Sequence, residues 1–205
     1  MENIIGGILV IITFACLYIQ VKGIVNKKYD SSLASWVIWT VIFMFLFIIN
    51  LVHEGWSTIT VFFAIQGIAH VAMTFITYKY VSKTFSKEEI TLLIISVVGF
   101  FLWIASYIIG LFVTLNPLIV ACIGIIGQIV ADASGAIPYM KIAYTSPERQ
   151  PLSAWIINIF VYPVTAYGTY INHESWTTYL FLGYAFLMYG ALLIVLIMGR
   201  KRIRL

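Results

Sequence analysis

Hydrophobic residues run through this chain in long blocks, interrupted at regular intervals by short polar stretches. Apolar segments fall at about 4–21, 33–52, 57–78, 90–113, 117–140, 152–171 and 177–198, each long enough to cross a hydrocarbon core of about 30 Å as a helix. The polar stretches between them alternate in charge. All twelve Lys and Arg lie in the connections Lys22–Lys28, Lys79–Lys87 and Lys141–Arg149 or in the tail Arg200–Arg204. The stretches Met1–Asn3, His53–Trp56, Thr114–Pro117 and His173–Trp176 hold none. Basic residues collect on the cytoplasmic loops of membrane proteins. The pattern therefore predicts seven transmembrane helices, with the N-terminus outside and the C-terminus cytoplasmic.

Composition sharpens that expectation. Apolar residues make up 62% of the chain and charged residues 10%, far from the soluble average. A net charge of +4 would suggest nucleic acid in a soluble protein; here basic loops facing anionic membrane lipid account for it. Cys16 and Cys122 both sit inside apolar segments, so no disulfide framework is implied. The Met1-Glu2-Asn3 start lacks a basic leader region, and the first apolar segment reads as a retained span.

The chain also repeats itself. Leu33-Ala34-Ser35-Trp36 opens the second segment and Leu152-Ser153-Ala154-Trp155 opens the sixth. His53-Glu54-Gly55-Trp56-Ser57-Thr58 follows the second, and His173-Glu174-Ser175-Trp176-Thr177-Thr178 follows the sixth. Trp36 and Trp155 are 119 positions apart, Trp56 and Trp176 are 120 apart, and Lys22 and Lys141 keep the 119 spacing. One inserted residue reconciles the two offsets, so the match reads as a duplication. A three-helix unit ends on the membrane side opposite its start, and the fourth segment returns the chain. The two units are therefore expected to be parallel repeats about an axis along the membrane normal. This gives an all-α membrane protein of two three-helix bundles: residues 1–82, a linker helix at 88–114, residues 117–199, and a basic cytoplasmic tail at 200–205.

With this plan in place, residues of the second half resemble the SWEET and PQ-loop superfamily of small-solute transporters. Pro138-Tyr139 stands near the inner end of the fifth segment, a short basic loop follows, Ser153 comes fifteen positions after Pro138, and Tyr167-Gly168 lies late in the sixth. The family pattern has Gln where Tyr139 stands and an aromatic residue at Val164, and Ile19-Gln20 replaces its Pro-Gln pair in the first half. No Trp-and-Asn sugar clamp is evident. The resemblance implies a 3+1+3 transporter, and proton-coupled relatives imply a role for a fifth-helix carboxylate.

Polar side chains within the apolar segments are costly, so they mark candidate sites. Asp132 is the one charged residue inside a segment, with Gln128 a turn away on the same face. Gln66 and His70 share the same spacing in the third segment, and Asn158 lies in the sixth. These five form the candidate solute and proton pathway. Asp132 and His70 are expected to line one central cavity and could share a proton; inter-helix hydrogen bonding is the plainer alternative. Pro138 and Pro163 each remove a helical hydrogen bond and are candidate hinges. Gly127, Ala131 and Gly135 form a small-residue stripe suited to close helix packing. Trp36, Trp56, Trp155 and Trp176 are expected as interfacial anchors. The duplicated His-Glu pairs could in principle bind metal, although polar turns explain them more simply.

Motifs for hydrolysis, phosphate binding or metal catalysis are absent, and no cofactor is implied. The sequence thus points away from an enzyme and towards alternating-access transport of a small polar solute such as a sugar, amino acid or vitamin. Facilitative movement and proton coupling through Asp132 both remain open. A KDEL-receptor-like binder and a nicotinamide-riboside-type vitamin transporter are the alternatives. Membrane lipid and the solute are the expected partners, and the fourth helix offers a surface for homo-oligomer contact.

Overall fold

The computed structural model describes residues 2–112, 116–171 and 176–204. Its helices are α1 (Glu2–Val25), α2 (Leu33–Glu54), α3 (Thr58–Tyr80), α4 (Lys87–Phe112), α5 (Pro117–Thr145), α6 (Leu152–Ile159), α7 (Val161–Ile171) and α8 (Trp176–Arg204), with one 3₁₀ turn at Pro147–Arg149. No strand occurs among the described residues. Among the described residues, six helical stretches are long and apolar enough to cross a membrane: Ile4–Val25, Leu33–Val52, Thr58–Tyr80, Lys87–Gly110, Cys122–Thr145 and Thr178–Ile203. The chain is an all-α protein compatible with multi-pass membrane insertion. Its outer surface is apolar, with Ile11, Phe101 and Leu187 among many large exposed side chains, as lipid contact requires.

The sixth apolar segment differs from the single helix expected over 152–171. It is two helices that meet at Phe160. Pro163 has no N–H to offer the Ile159 carbonyl, so the regular ladder cannot continue through this turn. Phe160 instead turns tightly, its N–H donating to Ile157 O at 3.2 Å. Pro138 also lies inside a helix, yet α5 runs through it without a break. The two prolines therefore act differently on local structure.

Several helices outrun their apolar limits. Lys22 and Lys79 fall in the last turns of α1 and α3, and α8 remains helical to Arg204, so most of the stretch expected as a tail belongs to the helix. Cations near a helix C-terminus meet the negative end of its dipole, while their alkyl stems lie along apolar surface. Polar caps secure the starts. Ser32 Oγ accepts from Ser35 N at 3.3 Å, and Ser57 Oγ accepts from Thr60 N at 3.3 Å. At α4, Ser86 and Glu89 bond reciprocally, Glu89 N to Ser86 Oγ and Ser86 N to Glu89 Oε2. That is a capping box, legible as Ser-x-x-Glu.

Helix contacts repeat between the halves. In the first half α3 packs against both α1 and α2; in the second α8 packs against α5 and against α6 and α7, and α5 meets α6 through the rings of Tyr139 and Trp155. The halves meet where α2 packs on α5 and α1 packs on α6 and α7. Helix α4 lies along α5, with lighter contact to α2. Aromatic side chains fill the interior, Trp39, Tyr139, Phe43 and Phe62 being the largest that are fully enclosed.

The α4–α5 seam depends on two glycines facing each other. A Cβ on Gly127 would fall 2.7 Å from Gly99 O and 2.7 Å from Trp103 N, and a Cβ on Gly99 would fall 2.7 Å from Gly127 O. These are backbone atoms, so only separation of the helices relieves the clash. Gly135, on the same stripe, instead admits the Trp39 indole, whose Nε1 would lie 2.8 Å from an added Cβ. Gly127→Val should lower stability by about 1–3 kcal/mol through overpacking. Gly7→Val, at a position with no atom within 4 Å of the added Cβ, should be nearly neutral. Thermal unfolding of the two purified variants in detergent checks the difference; equal midpoints would show that the seam tolerates separation.

Candidate functional site

A small cavity opens where both halves meet. Its wall is built from Thr13, Cys16 and Gln20 of α1, Trp36 and Trp39 of α2, Gln66, His70 and Met73 of α3, Trp155 and Asn158 of α6, and Tyr189 of α8. The space open to the centre of a water molecule is about 30 Å³, enough for one or two waters. Among the described residues no charged side chain lines it. Three amides, a hydroxyl, an imidazole and four large aromatic rings make the wall. Such a surface hydrogen-bonds neutral polar groups and stacks on flat apolar faces.

Gln66, His70 and Asn158 thus come together at this cavity. Gln66 Nε2 donates to Thr13 Oγ1 at 3.2 Å, tying α3 to α1. The His70 ring lies parallel to Phe43, centroids 4.7 Å apart, and its Nδ1 sits 2.5 Å from Gln66 O. Asn158 is half-buried and Gln66 and His70 are buried.

Asp132 and Gln128 lie elsewhere. Both are buried on α5 and neither borders the cavity. Asp132 faces the Tyr184 hydroxyl and the Trp39 indole, with Tyr162 and Tyr189 nearby. The Trp39 N–H itself lacks a partner at hydrogen-bonding geometry, as does Gln128 Nε2. Trp39 and Tyr189, which wall the cavity, are thus also neighbours of the carboxylate. His70 is engaged by Gln66, Phe43, Trp36 and Trp39, and among these contacts of the imidazole Asp132, with which it could have shared a proton, does not appear.

Trp36 and Trp155, expected as interfacial anchors, are instead 4% and 2% exposed and face the cavity. Trp56 is 71% exposed, as an anchor should be. The signal for Trp36 and Trp155 was present in the duplicated Leu-x-x-Trp helix starts. Gln20 and Tyr189 carried no comparable mark. His53, Glu54, His173, Glu174 and Trp176 have side chains outside the described residues, and no group of three metal-binding side chains occurs among the described ones.

On the side of the basic connections the cavity is closed. The space bounded by Gln20, Ile24, Tyr29, Asp30, Tyr139, Gln150 and Pro151 has no room for a water molecule. Ser31 is the centre of this closure. Trp36 Nε1 donates to Ser31 Oγ at 2.7 Å, and the same oxygen bonds Thr77 Oγ1 at 2.9 Å and the Tyr139 hydroxyl at 2.8 Å. One donor and two acceptor sites are all a hydroxyl has. From the other half, Trp155 Nε1 donates to Gln150 Oε1 at 3.3 Å, and Gln150 Nε2 donates to Asp30 O at 3.0 Å. Asp30 N donates to Arg149 O at 3.0 Å, and the Asp30 and Arg149 side chains pair at 2.8 Å. Arg200 of α8 donates to Pro147 O and Gln150 O. Four first-half members have a second-half member of the closure 119 positions on: Gln20 and Tyr139, Asp30 and Arg149, Ser31 and Gln150, Trp36 and Trp155.

Two larger cavities, about 140 and 100 Å³, lie along α2 and α4, the first also bordered by α5. One is bounded by Ser32, Glu88, Glu89 and Lys141, where Lys141 pairs with Glu88 and Ser32 donates to Glu89; the other is almost wholly apolar. The first also has both halves in its wall, with Ser31 and Ser32 on one side and Pro138, Lys141 and Ile142 of α5 on the other; the second lies between α2 and α4 alone.

The closure supports an ordering of mutational effects. Ser31→Ala leaves three buried partners short of a bond and should cost about 1–3 kcal/mol. Asp30→Asn weakens a pair whose side chains are 32% and 48% exposed and should cost under about 1 kcal/mol. Comparing unfolding midpoints in detergent tests this, and an Asp30 effect larger than that of Ser31 would assign the closure to the ion pair.

No protein-family model, curated protein or solved structure matches this chain.

Proposed function

We propose that this chain is a facilitative transporter of a small, uncharged polar solute, working by alternating access between two parallel three-helix bundles. The carrying observation is the uncharged, amide- and aromatic-lined cavity between the halves, closed on one side by residues paired through the duplication. A site between repeats with one side shut is what alternating access needs. The repeated helix contacts support the bundle arrangement, with α3 and α8 each central in its own half. Counting α6 with α7 as one interrupted crossing gives seven spans. The charge alternation then puts the N-terminus outside and the closed, basic side in the cytoplasm. The resemblance to SWEET and PQ-loop transporters agrees with this plan.

Asp132 is a structural residue in this reading. Its absence from the cavity wall favours uniport over proton coupling, and beside it Tyr184 ties α8 to α5, its hydroxyl donating to Ile129 O at 3.5 Å. A receptor for a peptide carboxylate would want a cationic cavity, and no Lys or Arg lines this one.

Flux into proteoliposomes, screened over neutral sugars, neutral amino acids and uncharged vitamins, tests the function. We expect saturable uptake of one class that stops at equal concentration and is insensitive to an imposed pH gradient. Asp132→Asn should keep that uptake within about twofold, since Asn preserves shape and most hydrogen bonding. Accumulation driven by pH in the wild type, lost in Asp132→Asn, would overturn uniport. Reporters fused before Glu2 and after Arg204 should fall in opposite compartments; finding them together would remove the seven-span plan.

A further inference from the structure

Trp36 and Trp155 belong to two structures at once. Their rings wall the cavity, and their indole N–H groups hold the closure, Trp36 on Ser31 at 2.7 Å and Trp155 on Gln150 at 3.3 Å. Each tie reaches back five residues, and the two ties are related by the 119-residue repeat. The rings also share a neighbour. Tyr139 packs edge-on against both, with centroids 5.5 Å from Trp36 and 5.3 Å from Trp155, while its hydroxyl bonds Ser31.

We infer that Trp36 and Trp155 are positioning residues that couple occupancy of the cavity to opening of the basic face, each passing a movement of its ring to the closure through its single N–H. The inference rests on the transporter reading above. An indole is rigid and has one donor, so ring position and N–H bond cannot change independently. A ring shift of about 1 Å lengthens either tie beyond hydrogen-bonding range. Once Trp36 lets go, Ser31 loses one of three partners; once Trp155 lets go, Gln150 loses the bond that orients its amide towards Asp30 O. Solute against the rings is thereby placed to act on both halves of the closure. Trp39 is the built-in contrast. It walls the same cavity and packs on Tyr139 and Trp36 with centroids 5.6 and 5.3 Å away, but its N–H has no partner at hydrogen-bonding geometry, so Trp39→Phe keeps the ring and deletes no bond of the closure.

Cys16 supplies a reporter that needs no known solute. It lines the cavity and is 4% exposed. In a Cys122→Ser background, a charged methanethiosulfonate would be applied to membrane vesicles of each orientation. Trypsin cleavage at the Arg200–Arg204 end identifies the face presented. Trp36→Phe and Trp155→Phe keep a ring and delete the N–H. Each should speed Cys16 modification from the basic face by roughly fivefold, the effect of one lost hydrogen bond, with the double variant faster still. Trp39→Phe should match the parent. Adding Asp30→Cys with Arg149→Cys and oxidising the pair should return the Trp36→Phe rate to the parental one. Rates for Trp36→Phe and Trp155→Phe no faster than for Trp39→Phe would overturn the coupling. So would acceleration from both faces alike, which marks a loosened fold, or labelling that persists through the crosslink. Failure of solute flux in the wild type, with the labelling pattern as expected, would fault the transporter reading alone.

Discussion

A polar group buried in a membrane protein has to find its partner within the chain, because the surrounding lipid offers none. Ser31 meets this demand most fully. Its hydroxyl is saturated by Trp36 of α2, Thr77 of α3 and Tyr139 of α5, so a single small side chain joins the two outer-to-inner walls of one half to the first helix of the other. Beside it, the space bounded by Gln20, Tyr139 and Gln150 has no room for a water molecule. The closure of the central cavity on the basic side depends on that junction.

The sequence carried the helical plan because long apolar blocks and one-sided cations are strong, local signals. The internal repeat was equally legible, and its 119-residue spacing recurs in the closure; of the pairs there, only Trp36 and Trp155 were marked in the sequence, because Asp30 and Arg149 or Ser31 and Gln150 are unlike residues. Other features were hidden for physical reasons. Whether Trp36 meets lipid or a cavity depends on the rotation of α2, and an aromatic residue one turn from a helix start fits either role. Asp132 was found as the costly residue, yet cost says only that a partner exists. Tyr184 and Trp39 come from α8 and α2, far away along the chain, and no periodicity within α5 points to them. Proline was an ambiguous marker. Pro163 coincides with a broken segment and Pro138 with a continuous helix, because what decides the outcome is how the neighbouring turn rearranges its hydrogen bonds.

The two halves are related without being identical, and the differences have a direction. Ser31 has a compact hydroxyl with three partners, whereas Gln150 reaches across to a backbone carbonyl of the other half. Trp36 sits on a short bond and Trp155 on a longer one. Gln20 opposes Tyr139, a flexible amide opposite a rigid ring. In each pair the tighter, more fully bonded version binds the first half to α5, and the looser one engages the half that contains the interrupted sixth segment. The two sets of closing residues thus follow one spacing but are bonded to different extents.

The glycine contact between α4 and α5 has a mechanical consequence for the bilayer. Backbones that approach so closely cannot slide or tilt separately, so α4 travels with α5 as one slab. On the transport reading proposed above, displacement of the halves would fall on the other flank of α4, towards α2, where the two larger cavities leave room between the helices. Widening there would enlarge the area the protein occupies in the membrane plane, so that reading makes the cycle sensitive to lateral tension.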